Sequence, residues 1–136
     1  MSRILLNGNI LWIEKESDIR EMVTTILTRH GAVVYPYPSL DVALKKFSSE
    51  AIDVILTDNN IHPGTGVKVN ALMKKGDPSI PVILISGLAD MKDGDIMCGK
   101  DVFAVLPKPF KVSQLLETVK RGIQHKSKFV EDDGRE

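Results

Sequence analysis

The stretch "NILWIEKESDIREMVTTILTRHG", residues 9–31, changes its hydrophobic period once, between Ile13 and Ser17. Asn9 to Ile13 is a short β-branched and aromatic run, too short for a helix and suited to a strand buried on both faces. From Ser17 onward the apolar residues Ile19, Met22, Val23, Ile26 and Leu27 recur at i, i+3, i+4, i+7 and i+8, one face of a helix. Ser17 is the expected N-cap, Asp18 and Glu21 suit the first turn, and Gly31 is the expected C′ residue. Between strand and helix stand Glu14, Lys15 and Glu16, where an apolar run would be expected to end in a neutral turn.

Working outward, the same strand-then-helix unit recurs. "AVVYPY" (residues 32–37) reads as a second strand, whose Pro36 favours a sheet edge. Ser39 is the expected cap of a second helix carrying Leu40, Ala43, Leu44 and Phe47. "DVILTD" (53–58) is a third strand that again ends in an acid, and Val67 to Lys75 makes a short helix after a Pro/Gly loop. "IPVILIS" (80–86) is the fourth strand, Leu88 to Cys98 a glycine-interrupted helix, and "FAVLPKPF" (103–110) holds the fifth strand and a tight turn. The final helix shows Leu115, Leu116, Val119 and Ile123 on one face. Strict alternation implies an α/β domain with a parallel sheet and helices on both faces.

The domain is expected over residues 9–124. Residues 1–8 extend the first strand or lie loose, and residues 125–136, "HKSKFVEDDGRE", read as a charged, aperiodic tail or the start of a linker. The 136 residues fit one domain, and a hydrophobic fraction of 43% supplies a core without disulfide or metal staples. Eighteen basic residues balance eighteen acidic ones, which argues against a nucleic-acid footprint in this chain. A single cysteine, Cys98, allows no internal disulfide, and no apolar run approaches the roughly 20 residues of a membrane span. These features lead to the expectation of a cytoplasmic protein with no membrane partner. The three histidines have no metal-ligand spacing.

In an open parallel sheet the site lies beyond the carboxyl ends of the strands. Those ends carry Glu14-Lys15, Asp58, Ser86 and Lys108. A carboxylate can attack a phosphoryl group and hold it as an acyl phosphate. The transferred group carries dispersed negative charge, so such chemistry needs a cation, a donor and usually Mg²⁺. Each residue also has an ordinary reading: Asp58 as a turn residue, Ser86 as a small residue before Gly87, and Lys108 and Glu14 as solvated charges.

Taken together, "ILWIEKESDIREMV", "DVILTDNNIHPGTG", "PVILISG" and "LPKPF", in that order, resemble the receiver domain of bacterial two-component response regulators. The resemblance runs from about Asn9 to Gln124. It implies a flavodoxin-like doubly wound sheet of five parallel strands, ordered 2-1-3-4-5, with five helices. It further implies Asp58 as phosphoacceptor, Lys108 as the lysine that pairs with the phosphoryl group, and Ser86 as the switch hydroxyl. Glu14, Asp58 and the backbone carbonyl of Asn60 would hold Mg²⁺, and the Lys108-Pro109 bond would be cis. The implied partners are a histidine kinase or phosphotransfer protein and a downstream protein.

The chain departs from the family pattern at Lys15, which stands where the second metal-binding acid is expected. Inside the pocket its ammonium would oppose a divalent ion by several kcal/mol at an effective dielectric near 20. Swung into water, it would leave the metal to Glu14 and Asp58, with help from Glu16. His62 stands at the loop proline, with Pro63 one place later, and Val105 at the aromatic switch position. Two competing functions follow from other classes. One is a phosphorylation-independent (pseudo-receiver) interaction module with impaired Mg²⁺ binding. The other is an aspartate-nucleophile phosphatase, disfavoured because Asn60 occupies the place of its second aspartate. A flavodoxin-like cofactor site would want a Ser/Thr/Gly-rich loop where "EKES" stands.

Overall fold

A computed structural model describes residues 4–46, 52–58, 79–87 and 102–133, the last seven of these by backbone alone. Five strands, β1 (Asn9–Ile13), β2 (Val33–Tyr37), β3 (Val54–Asp58), β4 (Val82–Gly87) and β5 (Ala104–Lys108), alternate with helices. Among the described residues the helices are α1 (Ser17–Arg29), α2 (Leu40–Lys46) and α3 (Val112–Asp133). The strands form one parallel sheet in the order β2-β1-β3-β4-β5, the arrangement expected of a flavodoxin-like receiver fold. The two further helices expected at Val67 to Lys75 and Leu88 to Cys98 lie outside the described residues.

Side-chain alternation divides the core into two layers. Ile10, Trp12, Val54, Leu56, Ile83, Ile85 and Leu106 face α1 and α3, packing on Val23, Leu27, Leu115, Val119 and Ile123. Leu11, Ile13, Ile55 and Val82 face the other way, onto Leu40 and Ala43 of α2. The central strands are therefore buried on both faces, which is why their sequences are continuous apolar runs. β2 lies at the edge, as Pro36 predicts. At Gly122 of α3 an added Cβ would sit 3.1 Å from Val54 Cγ2 and 3.3 Å from Ile83 Cδ1, so the missing side chain lets the helix approach the sheet closely.

Local signals hold at the C-terminal end of α1 and at the start of α2. Gly31 has φ of 93°, and the Ala32 and Gly31 amides donate to the Leu27 and Thr28 carbonyls, closing a Schellman turn. Ser39 Oγ accepts from the Val42 amide at 3.2 Å, capping α2. Ser17 is not the N-cap of α1: it is the first helical residue, and Glu16 holds the cap position without a side-chain hydrogen bond. The Glu16 carbonyl already accepts from the Arg20 amide at 2.9 Å, so the helix begins one residue earlier than the serine suggests.

Two terminal segments differ from the sequence reading. Before β1, Leu6 is fully buried in the core layer of α1 and α3 and its amide donates to the His30 carbonyl at 2.7 Å, while β1 begins only at Asn9. At the other end, α3 runs on through Gln124 to Asp133, where a charged tail is expected. Tertiary contacts explain the extension. The His125 ring packs on Phe103 with centroids 4.8 Å apart, and Lys126 Nζ lies 3.8 Å from Asp53 Oδ1. Among the described residues no helix is long and apolar enough to cross a membrane.

Candidate functional site

The parallel sheet brings the last residues of β3, β4 and β5, and Glu14 just after β1, to one edge of the molecule. β1 and β3 are neighbours with Ile13 opposite Thr57, so Glu14 and Asp58 leave adjacent strands side by side. Asp58 is level with Ile85 and Leu106, and Lys108, paired with Gly87, lies two residues beyond that level on the second strand away, from which its side chain reaches back. Lys108 Nζ donates to Asp58 Oδ2 at 2.9 Å. The Asp58 side chain is only 4% exposed and that of Lys108 27%, so the pair is partly shielded from water. The Lys108-Pro109 peptide is cis.

Glu14 is buried and held from one side. Its Oε2 accepts from the Glu16 amide at 3.0 Å, while Oε1 is buried with no hydrogen-bond donor. Burial pushes the Glu14 carboxyl up to about 7, and the neighbouring Asp58 carboxyl adds to the rise. The Glu16 amide and the Lys108 ammonium pull the other way and lose. The two carboxyls, with the Lys108 ammonium on Asp58, thus form an acidic pocket that holds a proton near neutrality.

Ser86 is fully buried at the end of β4, one step beyond Ile85, the register partner of Asp58. Its Oγ makes a long contact, 3.4 Å, to the Gly87 carbonyl, and is not joined to the Glu14-Asp58-Lys108 cluster. Asn60, His62 and Cys98 lie outside the described residues. Lys15 is exposed, and among the described residues it makes no ion pair with Asp58. Val105 occupies β5 between Ala104 and Leu106, half-buried.

A hard cation fits this pocket on one observation. Glu14 Oε1 is buried beside the Asp58 carboxyl without a donor, which a protein tolerates where an ion takes the place of the missing partner. Mg²⁺ accepts one or two carboxylates and fills its other positions with water and further oxygens. Among the described residues the carboxylates that meet in this pocket are those of Glu14 and Asp58.

One residue that sequence reasoning passed over is Arg20. Its Nη1 donates to the Glu14 carbonyl at 2.7 Å and to the Lys15 carbonyl at 3.2 Å, bracing the turn on which the pocket depends. Its place on the first turn of α1, six residues after Glu14, was visible; its bond to main-chain carbonyls has no sequence signature.

Fold and site together define a doubly wound α/β domain with an acidic pocket and a lysine at its strand ends. A family model described as the response regulator receiver domain matches residues 10–120, and the chain belongs to that family. It is a signalling domain of two-component systems. The chain is 28% identical over 118 residues to the DNA-binding transcriptional regulator NtrC of Proteus hauseri, covering 87% of this chain and 25% of that protein. It is 28% identical over 122 residues to the regulatory protein AtoC of Escherichia coli, covering 88% and 26%. The chain thus spans about a quarter of these relatives. Among solved structures, NtrX of Brucella abortus superposes with a TM-score of 0.80 at 25% identity, over 93% of this chain and 28% of that one. A response regulator receiver domain protein from Clostridium thermocellum gives 0.77 at 25% identity, over 90% and 98%.

Proposed function

We propose that the chain is a phosphoacceptor receiver in which Asp58 takes a phosphoryl group from the phosphohistidine of a histidine kinase or phosphotransfer protein. The observation that carries this reading is the 2.9 Å pair between Lys108 Nζ and Asp58 Oδ2 at the strand ends. The Lys108 ammonium keeps Asp58 anionic beside a second carboxyl and so preserves it as a nucleophile. An Asp58 oxygen forms the new O–P bond as the N–P bond of the donor breaks, and the imidazole leaves with the electron pair and takes up a proton. Lys108 then pairs with the phosphoryl oxygens, to which Ser86 supplies a hydroxyl donor after a shift of the β4 end.

Glu14 and Asp58, with the Asn60 carbonyl, are the residues assigned to Mg²⁺, which when bound supplies charge neutralisation for the transferred group. Below about pH 7 Glu14 holds a proton, and it must release that proton to act as a ligand. Output passes to a downstream protein or to another part of a longer chain; the NtrC relatives are named as DNA-binding transcriptional regulators.

The test is intact-mass measurement after incubation with a small acyl-phosphate donor, with and without Mg²⁺. One added phosphoryl group that requires Mg²⁺ and is absent in Asp58→Asn supports the reading. A second reading, the phosphorylation-independent interaction module, draws on Lys15, which stands where a second metal-binding acid is expected. It gains if no group is added and a partner binds wild type and Asp58→Asn equally.

A further inference from the structure

The exposed position of Lys15 needs a cause, because the buried Glu14 carboxyl precedes it directly, with the buried Asp58 carboxyl beside Glu14, and both would attract its ammonium. The cause lies in the turn's main chain. One nitrogen of Arg20 bridges the consecutive carbonyls of Glu14 and Lys15 at 2.7 and 3.2 Å. Arg20 is itself anchored through its own carbonyl, which accepts from the buried Trp12 indole at 3.1 Å and from Thr24 Oγ1 at 2.7 Å. Its amide donates to the Glu16 carbonyl at 2.9 Å, and the Glu16 amide holds Glu14 Oε2 at 3.0 Å. A closed circuit therefore runs from β1 through the first turn of α1 and back to the Glu14 carboxyl. With both carbonyls drawn toward the helix, Glu14 faces inward and Lys15 faces solvent.

We propose that Arg20 is a positioning residue for the acidic pocket: it fixes the turn that holds Glu14 over Asp58 and keeps the Lys15 ammonium out. This deepens the receiver reading, since it explains how the pocket tolerates a lysine in place of its second acid. Arg20 touches neither Asp58 nor the site assigned to the metal, so it acts only through main-chain geometry. An exposed guanidinium on a helix would do none of this; the two carbonyl contacts are what separate Arg20 from a solvated charge.

Two measurements test the assignment independently. The first needs no metal: amide hydrogen exchange of Glu16, followed by NMR in wild type and Arg20→Met. Loss of the brace frees Glu14 from the Glu16 amide, and exchange there rises about fivefold to tenfold while Val23 and Leu27 stay protected. Unchanged exchange at Glu16, or a uniform rise along α1, overturns the proposal. The second is Mg²⁺ affinity by calorimetry at pH 8, where Glu14 is ionised. Arg20→Met weakens binding about tenfold or more, and adding Lys15→Ala restores most of the loss. A loss that Lys15→Ala does not relieve overturns the claim that Arg20 excludes Lys15. If wild type binds no Mg²⁺, the metal part of the receiver reading fails, while the Glu16 exchange result still decides the role of Arg20.

Discussion

Lys108 Nζ reaches Asp58 Oδ2 at 2.9 Å across the end of β4, linking two strands that do not touch each other. Fifty residues separate the pair in sequence, and only the parallel β3-β4-β5 order brings them together. The lysine is bonded to a pocket that also holds Glu14.

Removing the lysine therefore costs more than removing the aspartate. Lys108→Ala takes the ammonium at 2.9 Å away from the nearly buried Asp58 carboxylate beside Glu14, and it should destabilise the fold by about 1–3 kcal/mol at pH 7. Asp58→Asn removes a like charge and should be close to neutral or stabilising. Urea denaturation of both variants checks the order; an equal or inverted pair of effects would contradict the geometry.

The Glu14 carboxyl makes the stability of the metal-free chain fall with rising pH. Its folded-state value of about 7 lies above its ordinary 4.5, so between these limits the folded chain holds a proton that the unfolded chain has lost. The Glu14 contribution is fully present below about 4.5 and is lost as pH rises through about 7. Denaturation in the presence of a chelator should show this slope, and Glu14→Gln should remove it. Magnesium binding near pH 6 should likewise release a proton, read as a dependence of the calorimetric heat on buffer ionisation enthalpy.

Restoring the second acid should strengthen the metal site. Lys15→Asp adds a carboxylate at the turn and should tighten Mg²⁺ binding about tenfold or more. Lys15→Ala in an otherwise wild-type chain should change the affinity little, because the ammonium already faces solvent. A large gain from Lys15→Ala would show the lysine inside the pocket.

Gly31 carries the one positive φ among the described glycines, 93°, and it closes α1. Gly31→Ala forces an L residue into the left-handed region and should lower stability by about 1 kcal/mol, measured as a shift in urea midpoint without a change in slope.

Much of this architecture was legible because the central strands are buried on both faces and write themselves as apolar runs. The Gly31 terminus and the Ser39 cap were legible for a related reason, since each acts within its own turn. The start of α1 was not. Ser17 has the right side chain for a cap, but the Glu14-to-Glu16 turn is set by Arg20 bonding to carbonyls, which leave no side-chain pattern to read. The continuation of α3 depends on Phe103 and Asp53, distant in sequence from His125 and Lys126. At the site, Glu14, Asp58 and Lys108 meet as their strand-end positions suggest. Ser86 has the right place on β4, yet its hydroxyl turns to the Gly87 carbonyl.

The central claim is that Asp58 is the atom donor for a new acyl phosphate. The most direct measurement is borohydride reduction of the protein after treatment with a small acyl-phosphate donor and Mg²⁺, followed by peptide mass mapping. Conversion of residue 58 to homoserine, dependent on the donor, is the predicted result. No conversion at residue 58 under conditions that phosphorylate a control receiver, or conversion at Glu14 instead, would contradict the account.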